Sequence, residues 1–281
     1  MPDLIVTKRT NSKSGRMQLP WVRLQIRDRP ATGYAWHGVT IVFSLKGRRG
    51  LEQTIDRTLQ KRIAADAAAA LVTDGMVVGL GSGSTAALAV SALGQRVAEG
   101  LHILGVPTSE ATAAQARLYK IPLTTLNLHP QLDVAIDGAD EVEKGTLHLI
   151  KGHGGALLRE KIVASASKNF VVIADESKLV DRLGTKFAVP VEVDQFGWIV
   201  TARKLEKLGC EVAIRKTAEG VEFVTDGNNY ILDCVFGAIT DPSGLARELD
   251  GVVGVVEHGL FPSMTSQVLL GGGAGVTVLE R

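Results

Sequence analysis

Apolar and polar positions along this chain alternate between two rhythms. From Gln53 to Thr73 the pattern QTIDRTLQKRIAADAAAALVT has helical spacing and is closed by Asp74-Gly75. MVVGLG then reads as a buried strand, and GSGST opens a second helix, TAALAVSALGQRVAEG, with its last glycine as a C-cap. LHILGVPTS is the next strand, EATAAQARLYK a helix capped by Ser109, and LDVAID a further strand. LHLIKG, LLREKIVASAS and FVVIADES continue the alternation. Strand and helix in strict succession predict the α/β class, with a doubly wound, Rossmann-like, mainly parallel sheet.

After Lys186 the order changes. AVPVEVD, the helix WIVTARKLEKLG, EVAIRK, a hairpin VEFVTDGNNYILDCVF turning at Asp226-Gly227, and the helix DPSGLARELD follow one another. That β-α-β-β-α order predicts a second, smaller α+β domain of the split βαβ, ferredoxin-like kind. The closing stretch HGLFPSMTSQVLLGGGAGVTVLE reads as short strands returning to the first sheet. The expected division is therefore 51–185 with 257–281 for the larger domain and 186–256 for the smaller.

Composition narrows the partners. The chain has 281 residues and a formal net charge of +1. Near-neutral charge argues against a broad attraction to nucleic acid or an acidic membrane, so an anionic partner has to be met by a local cluster, and a small anion fits best. No apolar run reaches the roughly eighteen residues of a membrane span. Cys210 and Cys234 lack CxxC or histidine company, so they read as buried thiols in a reducing compartment, the cytoplasm. Residues 1–50 are basic, poor in acids and mostly without periodicity. An organellar leader, a disordered basic arm and a start site placed too early all fit; the last is preferred, because the sequence from Leu51 onward supplies every element of the predicted fold.

Four segments carry candidate chemistry. GLGSGSTAAL places Ser82, Gly83, Ser84 and Thr85 between a strand and a helix, where bare backbone amides bind phosphate. The glycines also satisfy a dinucleotide pattern, but the next strand ends in PTSE without the acid that would hold a ribose, and the P-loop pattern fails for want of Gly-Lys. A tight turn with ordinary caps is the plain alternative. DGADE puts Asp137 and Asp140 at a strand's carboxyl end, where they could bind Mg²⁺, orient sugar hydroxyls or cap a helix. Hydroxyl orientation is favoured, because no further hard ligands are evident. In KGHGGALLREK, glycines after Lys151 can aim successive amides at one point beside an ammonium, and Glu160 follows in the next helix. A carboxylate base facing an oxyanion site suits proton abstraction beside a carbonyl, whereas a solvated charged face is the ordinary reading of Arg159, Glu160 and Lys161. Lys178 in FVVIADESKL ends another strand and becomes a candidate phosphate counter-ion if the phosphate loop is its neighbour.

Taken together, GSGST, DGADE, KGHGGALLREK and ADESKLV resemble the ribose-5-phosphate isomerase family of the A type, over about Leu51 to Arg281. The resemblance implies an aldose–ketose isomerase that interconverts ribose 5-phosphate and ribulose 5-phosphate through an enediolate, with no cofactor and no metal. It implies Glu160 as general base. Lys151 and the amides of Gly152, His153 and Gly154 would stabilise the oxyanion, and Asp137, with Asp140 close by, would assist ring opening and hold a hydroxyl. Gly138 and Ala139 would line the sugar site. Lys61, Ser82, Gly83, Ser84, Thr85 and Lys178 would hold the phosphate. A homodimer or homotetramer is implied, and no nucleic-acid or membrane partner.

The chain departs from the family pattern at His153, where glycine is usual, in Gly227-Asn228-Asn229, and at Val253 in place of proline. The extension before Leu51 has no counterpart. Two other functions compete: isomerisation of a different aldose phosphate, and a sugar-phosphate sensor that binds without reacting. Intact Lys151, Asp137 and Glu160 argue against the sensor, as does the lack of a helix-turn-helix pattern in the basic arm. A coenzyme A transferase of related fold would need its glutamate elsewhere.

Overall fold

A computed structural model of the chain describes residues 57–280, so the basic extension and the first residues of the segment expected to open the fold, Gln53 to Asp56, lie outside the described part. The chain begins there with α1 (Arg57–Ala70), β1 (Val77–Leu80), α2 (Ser84–Ala98), β2 (Leu104–Pro107), α3 (Glu110–Leu118) and β3 (Val134–Gly138). Short strands β4 (Glu141–Glu143) and β5 (Leu149–Ile150) follow, then α4 (Leu157–Ser165), β6 (Phe170–Asp175), a single 3₁₀ turn (Glu176–Lys178) and β7 (Leu179–Val180). The remainder is β8 (Val189–Val193), α5 (Trp198–Glu206), β9 (Glu211–Ile214), β10 (Tyr230–Val235), α6 (Pro242–Asp250), β11 (Val255–His258), β12 (Leu260–Phe261), β13 (Gln267–Gly272) and β14 (Gly275–Glu280).

The main sheet has the order β14-β13-β6-β3-β1-β2, parallel throughout except for the β13–β14 hairpin. Every residue of β6 is buried, as expected of a strand covered on both faces. One face is packed by the alanines of α1 (Ala64, Ala65, Ala68, Ala69) and by α2; the other by Val163 and Ala164 of α4. Alanine lets α1 approach closely, and a Cβ on Gly271 of β13 would collide with the α1 backbone at Gln60. Ser109 caps α3 as its sequence predicts, accepting a hydrogen bond from the Thr112 amide at 3.1 Å.

β8 to β11 form a separate antiparallel sheet of order β11-β8-β10-β9. With two helices returning between the strands, this is the split βαβ arrangement, and its core holds both cysteines. The expected turn near Asp226-Gly227 is present, closed by the Thr225 amide on Asn229 O at 2.9 Å, but its first arm contributes only isolated bridges at Glu222 and Val224.

One expectation fails. LHLIKG does not continue the main sheet: β5 pairs antiparallel with β4 and β12 in a third sheet of order β12-β5-β4-β7. A parallel neighbour requires a crossover of a dozen or more residues. Residues 144–148 offer only a tight reversal, through Gly145 and Leu147 in the left-handed region. The consequence is functional, because this reversal brings Lys151 back beside the end of β3.

The order of the main sheet also locates a crevice. From β1 the chain moves to one side to make β2 and then to the other to make β3, so the carboxyl ends of β1 and β3 flank a topological switch point. Open α/β sheets bind ligands there.

Candidate active site

At the end of β1 the chain turns through Gly81, Ser82 and Gly83 into α2. Gly83, with φ of 93°, is the residue before the helix and offers no side-chain cap, so the first amides of α2 are left to an incoming ligand. Gly81 has no room for a side chain, since a Cβ there would overlap the Asp137 carboxylate. The Lys61 ammonium of α1 donates to Ser84 Oγ at 3.1 Å, placing a positive charge at the same helix start. Lys178 sits on the 3₁₀ turn after β6 and lines the same cleft with Ser82, Gly83, Ser84 and Thr85.

The far wall of that cleft is built from Gly138, Ala139 and Asp140 after β3, and from Lys151, Gly152, His153, Gly154 and Glu160. Its empty space is about 460 Å³, part of it open to solvent, which suits a small phosphorylated metabolite better than a dinucleotide. Gly152 has φ of 101°, and a Cβ there would press on Leu157. Arg215, next after β9, donates to the carbonyls of Gly152 (2.8 Å) and His153 (2.9 Å), so the carbonyl side of the glycine loop is committed away from the cleft. The His153 amide is engaged by Asp140 Oδ2 at 2.9 Å, which leaves fewer free amides in the nest than its sequence suggests.

Beneath the wall lies a buried charge cluster. Lys151 Nζ is 3.1 Å from Asp137 Oδ2 and 3.4 Å from Glu160 Oε1, and it donates to Gly138 O at 2.6 Å. Asp137 also accepts from the amides of Ser82 (3.1 Å) and Gly138 (2.7 Å). It stands behind Lys151 and does not line the cleft, whereas Asp140 does. Glu160 is buried, and its Oε2 has no hydrogen-bond partner within the protein.

These surroundings set protonation. Burial opposes the charge on Lys151, but Asp137, Glu160 and Asp140 outweigh it and hold the ammonium's pKa above its usual value. Burial raises Asp137, with Lys151 opposing. Burial and then the Asp137 charge push Glu160 up to about 8, again against Lys151. Asp137 has three donors and Glu160 only one, so a proton held by the cluster resides on Glu160. The result is a charged lysine beside a carboxyl that titrates near neutrality.

The structure thus gathers every residue expected at the site, Asp137 as a second layer. Arg215 was not found from the sequence, which carries no signal for it, because the Gly152 and His153 carbonyls it holds are distant in the chain. Elsewhere among the described residues, Asp250, Glu257 and His258 bring ligand atoms within 4.8 Å of one another. The Lys161 ammonium, 2.5 Å from Glu257, already stands at that cluster as its cation.

A Rossmann-like sheet whose switch point joins an anion-binding helix start to a lysine-clasped carboxyl defines a sugar-phosphate enzyme built for proton transfer. The sequence profile described as ribose 5-phosphate isomerase A (phosphoriboisomerase A) matches residues 104–275. Ribose-5-phosphate isomerase A of Synechococcus sp. (strain JA-3-3Ab) is 57% identical over 222 residues, covering 79% of this chain and 96% of that protein. That of Gluconobacter oxydans (strain 621H) is 55% identical over the same shares. Among solved structures, ribose 5-phosphate isomerase A from Methanocaldococcus jannaschii aligns with a TM-score of 0.76 at 45% identity, over 79% of this chain and 98% of that one. A D-ribose-5-phosphate isomerase in complex with phospho-erythronic acid aligns with a TM-score of 0.76 at 39% identity, over 79% and 97%. The chain belongs to the ribose 5-phosphate isomerase A family.

Proposed function

We propose that this cleft interconverts ribose 5-phosphate and ribulose 5-phosphate, and that Glu160 is the base. The observation that carries the assignment is the unpaired, buried Oε2 of Glu160 on the cleft wall beside the Lys151 ammonium. Once the sugar is open, Glu160 takes the proton from C2 and electrons move onto the C1 oxygen. Lys151 and the free amides of the glycine loop stabilise that enediolate. Glu160 then returns the proton to C1 while the C2 hydroxyl loses its own proton to the C1 oxygen, completing the ketose. A group titrating near neutrality is suited to both halves of the exchange.

Ring opening falls to Asp140, which lines the cleft and also holds a hydroxyl, while Asp137 acts from behind by holding Lys151. Lys61, Ser82, Gly83, Ser84, Thr85 and Lys178 hold the phosphate, and Gly138 and Ala139 flank the sugar. Electrons stay within the substrate, so the reaction requires no electron acceptor, and the Lys151 ammonium supplies positive charge beside the developing oxyanion. The binding-only alternative leaves Glu160 without a task.

We place the enzyme in the cytoplasm, and none of the described helices is long and apolar enough to cross a membrane. We propose self-association as a homodimer or homotetramer; Phe196, Ile199 and Val200 present exposed apolar surface around the start of α5. Sedimentation of the purified chain as a monomer would remove that part. The function itself is tested by a coupled assay on ribose 5-phosphate with and without EDTA. Turnover unchanged by chelator is expected. Activity abolished by EDTA and restored by Mg²⁺ would make the carboxylates of DGADE metal ligands instead.

A further inference from the structure

We infer that Phe187 is a positioning residue for the phosphate end of the cleft, and that buried Glu141 holds it in place. The inference rests on the reading of Lys178 as a phosphate ligand. Lys178 Nζ lies over the Phe187 ring, 4.6 Å from its centre. On another side the same ring meets His153 edge-on, with centroids 5.4 Å apart and planes at 71°. Lys178 and His153 belong to the two walls of the cleft, so one aromatic ring fixes a cation from one wall and an imidazole from the other.

The segment that carries Phe187 is itself anchored. Glu141 is fully buried and accepts hydrogen bonds from the amides of Gly184 (2.6 Å), Lys186 (2.5 Å) and Phe187 (2.8 Å). A carboxylate gathering three amides of one loop is a strong charge-assisted anchor. Lys186 in turn donates to the carbonyls of Ser177 (2.6 Å) and Leu179 (3.1 Å), which bracket Lys178. The turn is also capped by Asp175, which accepts from the Ser177 amide at 3.0 Å. Backbone and side chain of Lys178 are therefore both set by residues 184–187.

A free lysine loses rotamer entropy when it closes on a phosphate; one already parked on a ring loses less. The same argument gives a use to His153, the residue at which this chain departs from the usual glycine. Its imidazole, which lines the cleft, packs edge-on against the Phe187 ring. Substrate affinity, more than the rate of proton transfer, should depend on Phe187.

The test compares wild type with Phe187→Leu, Phe187→Tyr, Lys178→Ala and the Phe187→Leu/Lys178→Ala pair, by steady-state kinetics on ribose 5-phosphate. Phe187→Leu is expected to raise KM about threefold to tenfold with kcat within twofold, consistent with an ordinary cation–π contact. Phe187→Tyr should restore KM, because tyrosine keeps the ring face. Adding Phe187→Leu to Lys178→Ala should raise KM by less than twofold, since the cation it positions is gone. A KM unchanged in Lys178→Ala would defeat the phosphate reading on which the inference rests. A raised KM in Lys178→Ala with an unchanged KM in Phe187→Leu would defeat the inference alone. Equal thermal midpoints of the variants exclude misfolding as the cause. If Phe187→Leu lowers the midpoint, Phe187→Tyr decides: a folded tyrosine variant with raised KM overturns the role of the ring.

Discussion

Exchanging Glu160 for glutamine should stabilise the fold at alkaline pH while removing the base. The Glu160 carboxyl moves from 4.5 to about 8 on folding, chiefly through burial. Between those two values the folded chain keeps a proton that the unfolded chain has released. Its contribution is therefore fully present below pH 4.5 and is lost as pH rises through about 8. At roughly 1.4 kcal/mol per pH unit, the whole gap corresponds to at most about 5 kcal/mol. That gap already contains the relief Lys151 gives the charged form, and relaxation and water penetration around a buried charge lower its effective cost, so we expect a gain on the order of 3 kcal/mol for Glu160→Gln at pH 9. The glutamine oxygen can still accept from Lys151, which limits other losses. In a protein of this size that gain is about 6 to 12 °C in Tm, and it should shrink towards zero at pH 5. Thermal melts of both proteins from pH 5 to pH 9 measure it. Parallel pH profiles, or a variant less stable than wild type at pH 9, would refute a desolvated Glu160.

Lys151→Met should lower turnover at least a hundredfold and lower stability by about 3 kcal/mol, because Asp137 and Glu160 lose their shared buried cation; a folded variant with near-normal turnover would contradict both roles. In wild type, kcat/KM should rise with pH from 7, pass through half its limit near pH 8 and level off about a unit higher, as the base loses its proton, and a flat profile over that range would count against Glu160. Arg215→Leu should depress kcat more than it raises KM, since the Gly152 and His153 carbonyls lose their donor and the nest is released. A larger effect on KM than on kcat would place Arg215 elsewhere in the cycle.

Much of this architecture is legible in the sequence for a physical reason. β1, β3 and β6 are covered on both sides, so they appear as largely apolar runs, and α3 between them carries its own cap in Ser109. The third sheet was not legible, because β5, β7 and β12 are two residues long and take their partners from distant segments. Short pairs leave no periodicity. At the site, glycines, carboxylates and lysines at strand ends announce themselves, and all of them converge on the switch point. Supports such as Arg215 on the glycine loop and Phe187 beneath Lys178 do not, since each acts across more than one element and its own neighbours in sequence look ordinary. The depth of Asp137 behind Lys151 likewise follows from the β4–β5 reversal, which only the three-dimensional path reveals.

Proton transfer by Glu160 is the centre of the account, and the turnover of Glu160→Gln on ribose 5-phosphate tests it most directly. The variant's affinity for ribitol 5-phosphate, a polyol phosphate that cannot enolise, is measured on the same preparation. The amide has nearly the shape of the carboxylate but cannot take a proton. Turnover is predicted to fall about a hundredfold to ten-thousandfold, with ribitol 5-phosphate bound within threefold of wild type. Turnover within tenfold of wild type, in a variant that still binds, would show that another group moves the proton.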